Sequence, residues 1–205
     1  MTVQGFVRAP AGAASDAAGP SAASRARDRE RTLRVELTVD APGSAVWDAW
    51  STAAGVQAFL APKATVERRI GGAYEVFLNP ADKRSSTQGC KLLSYLPPEM
   101  ISFEWRLPAD EFPELAAAAT WMVVQMHPAG IERTEVRITQ LGWGAGPVWN
   151  RAYSHMQLFW QMAAARLWQR FERGPLDWGG LRQMWQDAQN LFSHQRTFGS
   201  CTIET

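Results

Sequence analysis

The sequence predicts an α+β domain in which a curved antiparallel sheet of six to seven strands grips a long C-terminal helix. Three observations predict it. Short segments of alternating polar and apolar residues follow one another from residue 33 to residue 141, separated by turn-forming residues. Two short helical patterns come directly after the first of these segments. A broad apolar stripe at helical spacing then covers residues 148–173.

The first strand and the two short helices occupy residues 33–62. Apolar and polar residues alternate over 33–39, which is typical of a half-buried strand. Pro42 suits the first turn of a helix, and Thr52 is a suitable N-cap for a second one that Pro62 ends. The apolar residues that predict these helices are Val46, Trp47, Trp50, Val56, Phe59 and Leu60.

Three predicted hairpins supply the rest of the sheet. Each consists of two alternating segments around residues that favour a turn. The pairs are 64–70 with 73–78 around Gly71-Gly72, 89–96 with 100–107 around Pro97-Pro98-Glu99, and 120–126 with 135–141 around a turn at 127–130. Residues 79–88 form a predicted polar loop, and the connection 108–118 is predicted to be partly helical from Glu114.

The long helix is predicted over residues 148–173, between a glycine-rich turn at 142–146 and a stop at Gly174-Pro175. After that stop, apolar residues from Leu181 to Phe192 share one helical face, which indicates a second amphipathic helix that docks on its own domain or on another subunit. Residues 1–30 are rich in Ala, Gly, Ser and Pro, and we expect a disordered tail. The expected organisation is tail 1–30, domain 31–178 and extension 179–205.

Composition excludes several classes of function. The net charge is +1, so the basic surface that a nucleic-acid backbone requires is not expected. The sequence contains no run of about 18 apolar residues that could span a bilayer and no secretory signal pattern. The two cysteines, Cys90 and Cys201, match neither a metal-binding spacing nor a disulfide framework. We therefore expect a cytoplasmic protein without a metal or other cofactor.

Few residues suggest catalysis. Three histidines are present, and His127 falls in the predicted turn while His194 follows the last apolar residues. His155 lies at the edge of the apolar stripe of the long helix and is the one histidine that suits a general acid or base. Tyr153, two residues before His155, is the other weak catalytic candidate.

Short motifs follow one another in a fixed order along the chain. They are Val39-Asp-Ala-Pro42, Val46-Trp-Asp-Ala-Trp50, Phe59-Leu-Ala-Pro62, Arg69-Ile-Gly-Gly72, Tyr74-Glu-Val76, Gly89-Cys-Lys-Leu-Leu-Ser-Tyr-Leu-Pro97, Ile101-Ser-Phe-Glu-Trp105, Thr120-Trp-Met-Val-Val124, and Gly142-Trp-Gly144 with Trp149, Tyr153 and Trp160. This ordered set resembles the SRPBCC (START-like, helix-grip) superfamily. Within it, the chain from about residue 31 to 178 is similar to the family named after the activator of heat-shock protein 90 ATPase. The resemblance implies an interior pocket more firmly than an activity, because the family carries no catalytic triad or metal motif.

The leading hypothesis is a domain that binds a small hydrophobic or amphipathic molecule in this pocket. Its polar members are Tyr153, Gln140 and Glu104, although alternation places Glu104 on the outer face. A cyclase or dehydratase type of enzyme using the same pocket, a chaperone contact and a homodimer stay open as alternatives. The predicted pocket residues are Phe59, Tyr74, Phe103, Trp105, Trp143, Tyr153, Met156 and Trp160.

Overall fold

A computed structural model describes residues 31–181 and residue 183. The predicted tail 1–30 and nearly all of the extension 179–205 lie outside the described residues. A helical segment begins at Trp178, and the predicted apolar face of that helix beyond Leu181 also lies outside them.

Between residues 33 and 173, seven strands and three α-helices form an α+β fold, as predicted. The elements are β1 Leu33–Val39, α1 Gly43–Ser51, α2 Ala53–Gln57, β2 Lys63–Val66, β3 Tyr74–Phe77, β4 Leu92–Leu96, β5 Met100–Arg106, β6 Ala119–Gly130, β7 Arg133–Leu141 and α3 Pro147–Arg173. A five-stranded antiparallel sheet has the order β1-β7-β6-β5-β4, and β2 and β3 form a two-stranded sheet beside β4. A short 3-10 turn, Pro113–Leu115, lies between β5 and β6, where a longer helical stretch was predicted.

Local signals explain the boundaries of the helices. Thr52 caps α2, because its Oγ1 accepts a hydrogen bond from the Gly55 amide at 2.9 Å. Gly146 precedes α3 and Gly174 follows it, both with positive φ that an L side chain rarely adopts. The predicted helix 148–173 therefore differs from the observed one by a single residue at its start.

Two predicted turns are placed differently by the structure. The third hairpin turns at residues 131–132, and 127–130 is strand, with His127 paired to Glu135 and a register shift between Pro128 and Gly130. The shift accommodates the proline within the ladder, so the turn signal was wrong here. In the first hairpin, β2 ends at Val66, because residues 67–73 form backbone hydrogen bonds with one another in a wide turn.

The core lies between the inner face of the sheet and one side of α3. Alternate residues of β6 are buried, as the period of a strand requires. From α3 the buried side chains follow helical spacing, and this helix packs against β1. The sheet and α3 thus enclose the region where the pocket was predicted. The buried residues of α3 are Ala152, Met156, Trp160, Ala163, Ala164 and Leu167.

Candidate ligand-binding site

Five of the eight predicted pocket residues meet in one aromatic cluster between the sheet and α3. Its members are at most 1 % exposed, so side chains fill this part of the interior. Tyr74 stacks on Phe103 with ring centroids 3.8 Å apart, and Trp105 meets Trp160 at 4.8 Å. The cluster consists of Trp50, Phe59, Tyr74, Phe103, Trp105 and Trp160.

A buried polar network runs along one side of the cluster. The amide of Gln140 accepts from Trp160 Nε1 through Oε1 and donates to Thr120 Oγ1 through Nε2, both at 2.8 Å. Thr120 in turn donates to the Trp105 carbonyl oxygen at 2.8 Å. Gln140 was predicted as a polar member of the pocket. In the structure, both polar atoms of its side chain are hydrogen-bonded, Oε1 to Trp160 and Nε2 to Thr120.

Tyr74 is satisfied in the same way. Its hydroxyl donates to the Trp50 carbonyl oxygen at 2.9 Å. Complete burial raises the pKa of this phenol, because the interior disfavours the charged phenolate. Tyr74 therefore stays protonated and acts as a fixed hydrogen-bond donor in the core.

Two indole N–H groups in the cluster are not satisfied. Within the described part of the chain, neither Trp105 Nε1 nor Trp50 Nε1 has a hydrogen-bond partner, and the same holds for Ser51 Oγ. A buried donor without an acceptor costs about 1–3 kcal/mol. The contrast with Trp160 and Tyr74, whose donors are engaged, makes these positions the unusual polar feature of the interior.

A small void is lined in part by Trp105, the residue that carries one of the unsatisfied donors. Its volume is about 10 Å³, the room of roughly one water molecule. Phe159 of α3 is only half-buried and lies at its edge, with ring centroids 5.6 Å from Trp105. The void is thus close to the surface and much smaller than a site for an organic molecule. Its lining residues are Leu78, Ser86, Thr87, Trp105, Arg106, Pro108, Met156 and Phe159.

The loop between β3 and β4 closes the void from outside. Thr87 is buried and ties the loop to β3, since its Oγ1 accepts from the Val76 amide at 2.8 Å. Most of the loop residues between Asn79 and Gln88 are partly or fully exposed. The loop is therefore anchored at its end by Thr87 and covers the void with few buried side chains.

Trp143 and Tyr153 lie away from this void, in a second aromatic group with Trp149. Trp143 meets Tyr153 at 5.0 Å between centroids, and its Nε1 donates to the Gln140 carbonyl oxygen at 3.1 Å. The Tyr153 hydroxyl donates to the Thr32 carbonyl oxygen at 3.2 Å, and the Arg31 guanidinium lies 3.8 Å from its ring centre. Neither residue is among those that line the void, and the assignment of both to a ligand pocket stays a prediction.

His155 does not line the void either. Its ring meets Phe112 edge-on at 5.4 Å and is partly exposed. A catalytic function for His155 or Tyr153 required access to the interior, and neither side chain is among those that border the void.

Several residues at the void were not singled out from the sequence. Phe159 was part of the predicted helical stripe, and its position one residue from Trp160 was the signal that it could reach the same region. Thr87 had no such signal, because it follows a polar loop with no periodicity. Arg106 alternates with Trp105 along β5, which directs it to the opposite face of the strand, yet Arg106 is among the residues that border the void.

Cys90 is a buried thiol. Burial raises the pKa of Cys90 to about 11, so its thiol stays protonated near neutral pH.

In the ranges that the structure describes, 31–181 and 183, no three His, Cys, Asp or Glu side chains cluster to hold a metal ion. None of the helices within those ranges is long and apolar enough to cross a bilayer.

A curved antiparallel sheet, closed by a long C-terminal helix over an aromatic interior, defines the helix-grip class of START-like (SRPBCC) domains. Within that class, the chain belongs to the family described as Activator of Hsp90 ATPase homolog 1-like protein, whose model matches residues 40–172. The motif order in the sequence predicted this family correctly. No curated protein matches the chain by sequence.

Solved structures share the fold at low sequence identity. Protein MLL2253 from Mesorhizobium loti is 23% identical with a TM-score of 0.56, over 71% of this chain and 100% of that one. Protein SSP2350 from Staphylococcus saprophyticus is 14% identical with a TM-score of 0.56, over 72% and 96% of the two chains. DynU16, a protein of the dynemicin biosynthetic locus, is 16% identical with a TM-score of 0.53, over 70% and 48%.

Proposed function

We propose that the chain binds a small, mostly apolar molecule that carries a hydrogen-bond acceptor, at the void between β5, α3 and the β3–β4 loop. The observation that carries the proposal is that Trp105, whose indole N–H has no acceptor in the described structure, is among the residues that line the void. A ligand carbonyl or ether oxygen placed there would accept this hydrogen bond. It would recover the roughly 1–3 kcal/mol that the isolated donor costs.

The apolar part of the ligand would lie on the aromatic cluster. The lining includes the indole ring of Trp105, the phenyl ring of Phe159 and the flexible thioether of Met156. Together they suit a planar or irregular apolar group. Small-molecule sites generally combine such a lining with a few polar groups that fix orientation. Membership of a START-like class supports the same kind of function.

A void of about 10 Å³ means that a ligand must displace side chains to enter. Phe159 is the natural candidate, because it is half-buried at the helix surface and its ring can swing toward solvent at little cost in burial. The β3–β4 loop is the second, since most of its residues between Asn79 and Gln88 are partly or fully exposed. Binding is therefore expected to involve rearrangement of the site and not a filling of preformed space.

The test uses two matched probes, benzophenone and diphenylmethane, which differ in a single carbonyl oxygen. We expect benzophenone to raise the melting temperature in a saturable way and to bind about threefold to tenfold tighter than diphenylmethane. On irradiation, benzophenone should attach to the peptides that contain Met156 or Trp105, as mapped by mass spectrometry. Trp105→Phe should abolish the preference, because it keeps the apolar ring and removes the N–H.

The control variant is Trp121→Phe, since Trp121 is 43% exposed on the opposite face of the sheet. It should leave the preference for benzophenone unchanged. Attachment scattered over the surface, or the absence of saturable binding, would refute the proposed function. Saturable binding with no preference for the carbonyl would retain the site but exclude the function assigned to Trp105.

A further inference from the structure

The surface directly outside the proposed site is positively charged. A depression of about 410 Å³ adjoins the void and shares Ser86 and Arg106 with it. Its lining includes three cationic side chains and no carboxylate. The lining residues are Lys83, Arg84, Ser86, Gln88, Gly89, Arg106, Leu107, Ala109 and Ala116.

Strand geometry explains why an indole and a guanidinium meet here. Trp105 and Arg106 are the last two residues of β5, and successive side chains of a strand point to opposite faces. Trp105 enters the core while Arg106 reaches the rim of the void. Its Nη1 donates to the Gln88 carbonyl oxygen at 3.0 Å, which holds the guanidinium at the mouth and leaves its other N–H groups available.

Two of the three cations are available to a ligand. Arg84 is bound to Asp82 through Nε and Nη2, at 3.1 and 2.7 Å, and this pairing lowers the pKa of Asp82 and raises that of Arg84. For Lys83 and Arg106, no carboxylate oxygen of the described residues lies within ion-pair distance. The depression therefore presents two cations without a fixed counter-charge.

The nearby carboxylates are held elsewhere. Glu75 accepts from the Gly89 amide at 2.9 Å, and Glu104 accepts from the Lys91 amide at 3.1 Å. Both side chains thus accept from backbone amides of the segment that leads into β4. Asp110 acts on Arg84, the cation that is already paired with Asp82.

We infer that the ligand of the proposed site is an amphipathic anion, whose apolar part lies against Trp105 and whose carboxylate or comparable acidic group is bound by Arg106 and Lys83. The inference rests on the proposed function and adds the charge of the ligand. The planar guanidinium of Arg106 suits the two oxygens of a carboxylate, and Lys83 adds a mobile point charge.

The test extends the matched probes by 4-benzoylbenzoate, which is benzophenone with one added carboxylate. We expect it to bind about threefold to tenfold tighter than benzophenone at low ionic strength, with the advantage shrinking as NaCl is added. Arg106→Gln and Lys83→Gln should each lower the ratio of the two affinities, 4-benzoylbenzoate to benzophenone, measured on the same variant. The matched control is Arg34→Gln, which removes one exposed cation from β1, away from the site.

Each outcome decides between the two proposals. If benzophenone binds but 4-benzoylbenzoate binds no tighter, or Arg106→Gln and Arg34→Gln act alike, the anionic ligand is refuted and the proposed function stands. If neither probe binds, both are refuted. If benzophenone fails while 4-benzoylbenzoate binds in an Arg106-dependent way, the anion site is supported and the acceptor function of Trp105 is not.

Discussion

The two tryptophans that face each other in the core should lose different amounts of stability when each is replaced by Phe. Trp105 and Trp160 lie 4.8 Å apart between ring centroids and are at most 1 % exposed. Trp160 Nε1 donates to Gln140 Oε1, whereas Trp105 Nε1 has no acceptor among residues 31–181 and 183. Replacing either by Phe removes the same atoms, so the loss of packing is similar. The polar consequences differ in sign.

The magnitudes follow from this difference. Trp160→Phe leaves Gln140 Oε1 as a buried acceptor without its donor, which adds about 1–3 kcal/mol to a packing loss of roughly 1–2 kcal/mol. Trp105→Phe has the same packing loss but removes an unsatisfied donor, which offsets it by about 1–3 kcal/mol. We therefore expect Trp160→Phe to lower the free energy of unfolding by at least about 2 kcal/mol more than Trp105→Phe.

Urea unfolding followed by far-UV circular dichroism is the suitable assay, because the chain contains 10 Trp and fluorescence would average over them. Thermal unfolding is a second measure, in which each kcal/mol shifts the midpoint by about 2–4 °C in a domain of this size. Trp168→Phe is the control on the outer face of α3, where the side chain is 45% exposed. It should change stability by less than about 0.5 kcal/mol.

Equal losses for Trp105→Phe and Trp160→Phe would refute the reasoning. They would mean that both indole donors are satisfied to the same extent in solution. The proposal that a ligand supplies the acceptor for Trp105 would then lose its basis.

Trp160→Ala adds a check on the register of α3. Replacing a fully buried Trp should lower the free energy of unfolding by about 3–5 kcal/mol, and replacing a surface Trp by less than about 1 kcal/mol.

Three further predictions follow from other parts of the fold. Gly142→Ala should lower the free energy of unfolding by about 1–3 kcal/mol, because φ is +85° and a Cβ would lie 2.4 Å from the Trp121 ring. Gly146→Ala is the control: its φ is +107° but the space around it is open, so the loss should be smaller in the same unfolding assay. Alkylation of Cys90 by iodoacetamide, in a variant lacking the other cysteine, should be slow at pH 8 in the folded protein and fast in urea, because burial raises the thiol pKa from 9.0 to about 11. The folded state holds this proton more tightly, so stability should fall as pH rises from about 9 through 11. Ending the chain after Trp178 should lower the melting temperature of the monomer, whereas a dimer that dissociates into equally stable monomers in light scattering would assign the removed segment to a subunit interface.

The sequence was sufficient for the order and type of the elements, because their signals are local. Thr52 as a cap, the glycines around α3 and the alternation along β5 each act within a few residues. The turn predicted at 127–130 failed because Pro128 and Gly130 are compatible with a strand that carries a register shift. Only the partner strand decides between the two, and it is not a local signal.

The site was less predictable, because burial and partnership depend on residues that are distant in sequence. Helical and strand periods correctly directed Trp105, Phe103 and Trp160 inward. Periodicity could not distinguish the hydrogen-bonded indole of Trp160 from the unsatisfied indole of Trp105. The acceptor for Trp160 is Gln140, which lies in β7 and is distant in sequence. The size of the void depends on how side chains from β5, α3 and the β3–β4 loop pack together, which no pattern in a single segment reports.

The β3–β4 loop has a consequence for how proteins of this architecture can diversify. The loop borders the void with Thr87 and the basic depression with Lys83, while the aromatic cluster comes from the strands and helices. Surface loops tolerate insertion and exchange at little thermodynamic cost. Under the proposed function, a descendant could therefore acquire a new ligand preference by replacing residues 79–86 alone, with the buried anchor Thr87 and the folding core inherited unchanged.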